Sequence, residues 1–167
     1  MNRHFVPAAV FGLLCVGFLA AVGASAAALP GKVASHFDLA GQADGWMPRN
    51  NYLLFSAIMG LAIPLFVVGL CYVTRFLPDW MINLPNKDYW LSPERREQTN
   101  AFLFRHSLWL GCLVLAHFAG MHMLTVIANG RNPPSMPLMG LLAATGIFFC
   151  LLGFWIVVLV RRFRRPA

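Results

Sequence analysis

The chain has 167 residues, of which 59% are hydrophobic and only 11% charged, with a mean hydropathy of +0.65. A soluble domain is roughly half apolar and about a quarter charged, so this balance excludes a soluble enzyme. The net charge of +7 would suit nucleic acid in a soluble protein, but the cations flank long apolar runs, which makes them membrane-anchoring charge and leaves no nucleic-acid partner.

Four apolar stretches reach the length of about 20 residues that a helix needs to cross the hydrocarbon layer. They run from about residue 5 to 29, 52 to 77, 102 to 128 and 137 to 160, and none holds an acidic residue. Each is expected to be helical, because an unpaired backbone amide costs several kcal/mol in lipid. The fold class that follows is an all-α, multi-pass membrane protein forming one domain over residues 1–167. The first stretch, with its basic start and Ala24-Ser25-Ala26, has some features of a secretory signal, but its length favours an uncleaved helix. Pro7 falls in a first turn, whereas Pro64 lies mid-span and predicts a bend.

Between the first two spans, residues 30–51 form the most informative segment. Val33 to Phe37 has strand-like side chains, Gly41 permits a positive φ, and Asp44-Gly45 is a turn signal leading to Trp46. A small hairpin is expected, with alternation placing His36 and Asp38 on one face and Val33, Ser35 and Phe37 on the other. His36 can bond the turn, join Phe37 and Trp46 in a recognition surface, or combine with Asp38 and Asp44 in metal or proton chemistry, although one imidazole and two carboxylates are an incomplete ligand set.

The linker 78–100 between the second and third spans carries Asn83, Pro85, Asn86, Tyr89 and Trp90 and is expected to lie along the membrane interface. Ser92 is positioned to cap a helix, with Pro93 at its first residue and Glu94 and Glu97 in its first turn. Arg95 and Arg96 are solvated flanking charge or a seat for acidic lipid heads or a partner. Trp46, Trp80, Trp90 and Trp155 read as interfacial anchors, Trp109 as a deeper residue.

In the third span His106 sits near the boundary, but His117 and His122 fall inside the apolar run, where an ionisable side chain marks function by default. Five residues turn about 500°, so the two rings stand roughly 140° apart and cannot meet at one metal on a regular helix. Neutral imidazoles bonding across the bundle are one reading. Intramembrane metal, haem or proton chemistry, or transport, is the alternative. A haem would need axial ligands on opposite sides, with Met59 or Met139 or a second copy completing the set. No cofactor and no enzymatic activity are expected.

Cys15, Cys71, Cys112 and Cys150 fall one per span, which argues against a disulfide framework or structural zinc site. Small residues in 20–28, at Ala116 and Gly120, and at Gly140 and Ala144 allow close helix approach.

Charge decides orientation. With both termini inside, Arg3, Arg75, Lys87, Arg95, Arg96, Arg105, Arg161, Arg162, Arg164 and Arg165 are cytoplasmic, against Lys32, Arg49 and Arg131 outside; ten against three predicts N-in and C-in. The hairpin is then extracytoplasmic, and 129–136 is a short outer turn.

The run Leu-Pro-x-x-Val-x-x-His-Phe-x-x-x-Gly-x-x-Asp-Gly-Trp from Leu29 to Trp46, followed by an apolar helix, resembles the membrane domain of unknown function found in SdpI-type bacterial toxin-immunity proteins. The resemblance covers about Phe5 to Leu77. It implies a bacterial plasma (inner) membrane, and in the SdpI branch protection from a membrane-active peptide toxin and signalling through a membrane-held repressor. SdpI proteins carry a longer second half with extra helices, which this chain lacks, and no residue role is carried over. The expected function is binding, of the toxin-immunity or envelope-signalling type. The binding set is His36, Phe37, Asp38, Gly41, Asp44, Gly45 and Trp46, and the partner is a peptide, a lipid or a membrane protein. An accessory subunit of a larger membrane complex is a further alternative.

Overall fold

The computed structural model describes residues 5–164, so the expected inside charges Arg3 and Arg165 lie outside the described residues. Helix α1 spans Phe5–Ala24 and ends in a 3-10 turn, Ser25–Ala27. Strands β1 (Lys32–Phe37) and β2 (Ala43–Pro48) follow, then α2 (Arg49–Val73), the one-turn α3 (Lys87–Trp90), α4 (Arg96–Asn129) and α5 (Leu138–Phe163).

Among the described residues, four helical segments are long and apolar enough to cross a membrane: Phe5–Ala27, Arg49–Phe76, Arg96–Asn129 and Leu138–Phe163. Their apolar side chains point outward as well as inward, as a lipid solvent permits. Leu13, Phe66 and Met139 are 73%, 68% and 80% exposed, values that would be unfavourable in water over so much surface. At about 1.5 Å per residue, α4 is about 50 Å long and exceeds the roughly 30 Å hydrocarbon layer. It is the central post of the bundle, packing on α1, α2 and α5.

The core between α1, α2 and α4 is built from Phe11, Phe18, Val22, Val68, Leu108, Cys112 and Leu115. Two glycines allow this closeness. A Cβ on Gly60 would lie 2.3 Å from ring atoms of Phe18, and one on Gly111 would lie 2.8 Å from Val68 and 2.9 Å from Phe11. Pro64 is fully buried inside α2, which the structure assigns as helix on both sides of it.

Helix α5 rests chiefly on α4. His106 and Trp155 join the two reciprocally: the indole N–H donates to the His106 carbonyl at 2.9 Å, and His106 Nε2–H donates to the Trp155 carbonyl at 3.1 Å. Their rings stack 4.4 Å apart. Further along, Gly140 lets Leu124 approach, leaving 2.9 Å to where a Cβ would stand.

The linker after α2 is folded back onto the bundle. Arg96 pairs with the Asp79 carboxylate and donates to the Leu77 carbonyl at 2.8 Å. Asn86, at a left-handed φ of 53°, donates its amide to the Phe163 and Arg164 carbonyls at the end of α5 at 3.0 and 3.1 Å. Trp90 is only 4% exposed. It packs edge-on to Phe163 with Arg162 over its face, so it is a core residue and not the interfacial anchor expected. The expected Ser92 cap is also absent: α4 starts at Arg96 with no side-chain cap, and its first turn is opened by the Ser92 backbone carbonyl, which accepts from Arg96 N–H at 2.9 Å. Of the other tryptophans, Trp80 is 77% exposed, Trp46 and Trp109 are half-exposed, and Trp155 stacks on His106.

Candidate functional site

The segment from Lys32 to Pro48 is an antiparallel ribbon. Its turn lies earlier than Asp44-Gly45 suggests. Gly41 N–H donates to the Asp38 carbonyl at 2.9 Å, and Asp38 N–H donates to the Gln42 carbonyl at 2.9 Å. Gly41 holds φ +79°, so this is the three-residue loop closed by a left-handed glycine. The Asp38 carboxylate accepts the Gln42 N–H at 2.8 Å and fixes the turn from inside. Asp44 and Gly45 belong to β2.

The alternation expected for β1 holds in burial for Val33, Ser35 and Phe37 against His36 and Asp38 but breaks at Ala34, for a visible reason. Ala34 pairs with Trp46 and His36 with Gly45, which leaves Ser35 as an extra residue; Phe37 then pairs with Ala43, which leaves Asp44 extra on the other strand. Two bulges on opposite strands re-aim the side chains. Val33 and Ala34 are both fully buried. His36 Nδ1 meets Asp44 Oδ1 at 2.5 Å, with both side chains largely in the open, while Asp38 is occupied by the turn. Gly45 has a steric role: a Cβ there would stand 2.9 Å from the His36 Cβ.

The ribbon is fastened to the bundle at three places. At its base, Leu29, Val33 and Tyr52 form a small apolar core with Met47, Leu53 and Val126 against it. Along β1, the Asn129 amide at the end of α4 accepts the Ala34 N–H at 2.8 Å and donates to the Ala34 carbonyl at 2.9 Å, behaving as a neighbouring strand would. At the turn, Met136 N–H donates to the Gly41 carbonyl at 2.8 Å, and Gln42 bridges to Ser135. Arg49 closes the corner by donating to the Ala26 and Leu29 carbonyls at 3.1 and 3.2 Å. Those carbonyls follow α1, where the helix lacks partners of its own.

Beneath the ribbon, His122 is 4% exposed and holds Ser25 and Tyr52 together. The protons can be assigned from the network. Ser25 Oγ donates its only hydrogen to the Val22 carbonyl at 2.7 Å, so it accepts from His122 Nε2–H at 3.0 Å. In a neutral ring Nδ1 is then the acceptor, and the Tyr52 hydroxyl donates to it at 3.1 Å. A cavity of about 180 Å³ opens beside this chain, edged by Ser35, Tyr52, Ser56, His122 and Thr125 on its polar side.

His117 does not join His122. It faces α5, its ring stacked on Phe148 at 4.4 Å, in a groove of about 190 Å³ with Ala116, Gly120 and Ala144. Its Nδ1 has no hydrogen-bond partner among the described residues.

Of the expected binding residues, the structure leaves His36, Asp38, Asp44 and Trp46 exposed around the ribbon, with Phe37 and Gly45 partly covered and Gly41 buried against Met136 and Leu138. Leu39, which sequence reasoning passed over, is wholly exposed at the turn. The anchoring residues Ser25, Arg49, Tyr52 and Asn129 were also missed. Their signal was faint: polar side chains at the very ends of apolar runs, where a helix terminus meets a loop.

No curated protein and no solved structure matches the chain. A family model described as Domain of unknown function (DUF1648) matches residues 13–60, a stretch that holds the latter part of α1, the whole ribbon and the first half of α2.

Proposed function

We propose that the protein is a multi-pass bacterial inner-membrane protein that binds a peptide at its extracytoplasmic ribbon, with both termini in the cytoplasm. It acts in toxin immunity or envelope signalling and catalyses no reaction. One observation carries the reading: the ribbon is pinned at base, edge and turn, yet its rim presents Leu39, Trp46, Asp38 and the His36–Asp44 pair to the surroundings. Rigid support under exposed aromatic and charged groups is the usual construction of a recognition surface.

The chemistry of that rim suggests the ligand class. Two carboxylates beside an exposed leucine and indole suit a cationic amphipathic peptide arriving along the membrane surface. The resemblance to SdpI-type proteins supports the same class. His122 speaks for a linking role over proton carriage, since both its ring nitrogens are already bonded to neighbouring helices.

Two measurements test this. Leu39→Cys, in a background lacking the four natural cysteines, is expected to react with a membrane-impermeant maleimide added to intact cells; protection there with labelling only after lysis reverses the orientation. Cells expressing the chain are then challenged with cationic membrane-active peptides. Protection is expected to vanish in Trp46→Ala and Asp44→Ala at equal expression, and unchanged protection in both removes the ribbon from the mechanism.

A further inference from the structure

At the end of the bundle remote from the ribbon, the 3-10 turn that follows α2, Pro93 and the start of α4 border an open cleft of about 510 Å³, within the range of about 300–1,000 Å³ typical of small-ligand sites. It is walled by Phe76 and Ala101 and lined by Arg75, Arg96, Glu97 and Asn100.

The charges around it are not spent on one another. Arg96 is held by Asp79 and the Leu77 carbonyl, which fixes the cavity wall. Arg75 lies over the Tyr72 ring at 4.4 Å and pairs with no carboxylate among the described residues. Glu97 likewise forms no ion pair with a described residue. A cation and an anion therefore face one cavity without closing on each other. Asn100 also borders the cleft, with its Oδ1 turned into the protein. The site also lies where the apolar runs of α2 and α4 give way to charge, which is headgroup depth in a bilayer.

We propose that this cavity binds the phosphoethanolamine group, carried by a membrane phospholipid or free. Arg75, with Arg96 beside it, receives the phosphate, for which guanidinium is well matched. Glu97 receives the primary ammonium, accepting from its N–H donors. A choline head carries the same charges without those donors. A glycerol head brings an anion and no cation, which leaves Glu97 opposed to it. The assignment is independent of what the ribbon binds.

Native mass spectrometry of the full chain, from micelles supplied with equal phosphatidylethanolamine, phosphatidylcholine and phosphatidylglycerol, tests this. One phosphatidylethanolamine is expected to be retained at about tenfold excess over each competitor, the ratio that one charge-assisted hydrogen bond supports. Glu97→Gln is expected to abolish the preference for ethanolamine over choline, Arg75→Gln to lower retention of all three lipids, and Lys32→Gln at the ribbon end to change nothing. Displacement of the lipid by millimolar free phosphoethanolamine would assign the site to the headgroup alone, and no displacement to the membrane lipid. Preference for phosphatidylglycerol, equal retention of the three lipids, or an unchanged preference in Glu97→Gln overturns the proposal.

Discussion

Tyr52 and His122 lie nearly parallel, 14° apart in ring plane with centroids at 5.7 Å, and the phenol hydroxyl donates to the imidazole Nδ1 at 3.1 Å. The pair ties the start of α2 to α4, and Ser25 adds α1 to the same ring. Tyr52→Phe keeps the stacked surface and deletes one hydrogen bond, so it is expected to lower stability by about 0.6–2 kcal/mol. His122→Leu removes the shared partner, leaves the Tyr52 hydroxyl without its acceptor, and should cost more. Thermal unfolding in detergent followed by circular dichroism measures both, and identical midpoints for wild type and His122→Leu would contradict the linkage.

The closeness of α1 and α2 rests on Gly60, where an added methyl would overlap the Phe18 ring at 2.3 Å. Phe18 is itself only 4% exposed, so its ring must shift against its neighbours or into the cavity of about 180 Å³ that it helps to line. Gly60→Ala is expected to destabilise by about 1–3 kcal/mol, as overpacked cores do, and Phe18→Leu in the same chain to recover part of the loss. Gly69, with nothing within 4 Å of its would-be Cβ, supplies the control: Gly69→Ala should be neutral.

Asn129 grips both backbone groups of Ala34. Asn129→Ala strands them in a buried place, at an expected cost of about 1–3 kcal/mol. The exchange rate of the Ala34 amide hydrogen should rise by roughly tenfold or more, since local opening sets that rate. Asn129→Asp retains an acceptor for the amide and should fall between the two. Exchange that is equally slow in all three chains would show that the ribbon is held by its apolar base alone.

Arg49 is expected to resist even a conservative change. Its Nη1 reaches two carbonyls, those of Ala26 and Leu29, and the ammonium of Arg49→Lys, on a side chain one bond shorter, falls short of them. A loss of about 1 kcal/mol is expected, the usual worth of a hydrogen bond. It is read as a lowered unfolding midpoint, and an unchanged midpoint would mean that water serves those carbonyls equally well.

The four long helices were plain in the hydropathy, because solvation by lipid is a demand made residue by residue along a span. Local turn chemistry was only half legible. Gly41 announced its positive φ, but Asp44-Gly45 drew the turn to the wrong place, since the same dipeptide also serves where a bulge needs a carboxylate in the open and a bare backbone opposite His36. Binary alternation could not reveal that Ser35 and Asp44 are each left unpaired, because a bulge shifts the facing of side chains without altering the pattern that predicts it. Contacts between distant segments were not legible at all: nothing local in Asn129, Asn86 or Arg49 says which backbone each will hold. The separation of His117 and His122 did follow from helical geometry, whereas their partners, Phe148 for one and Ser25 with Tyr52 for the other, came only with the folded chain.

The stretch that matches the family model stops at residue 60, well before α4 begins at Arg96. Its strand β1 nevertheless completes its hydrogen bonding on Asn129, and its turn on Met136. The portion recognisable by likeness is thus not an autonomous folding unit. Cut out as a peptide, it would lose the borrowed edge that shapes it here.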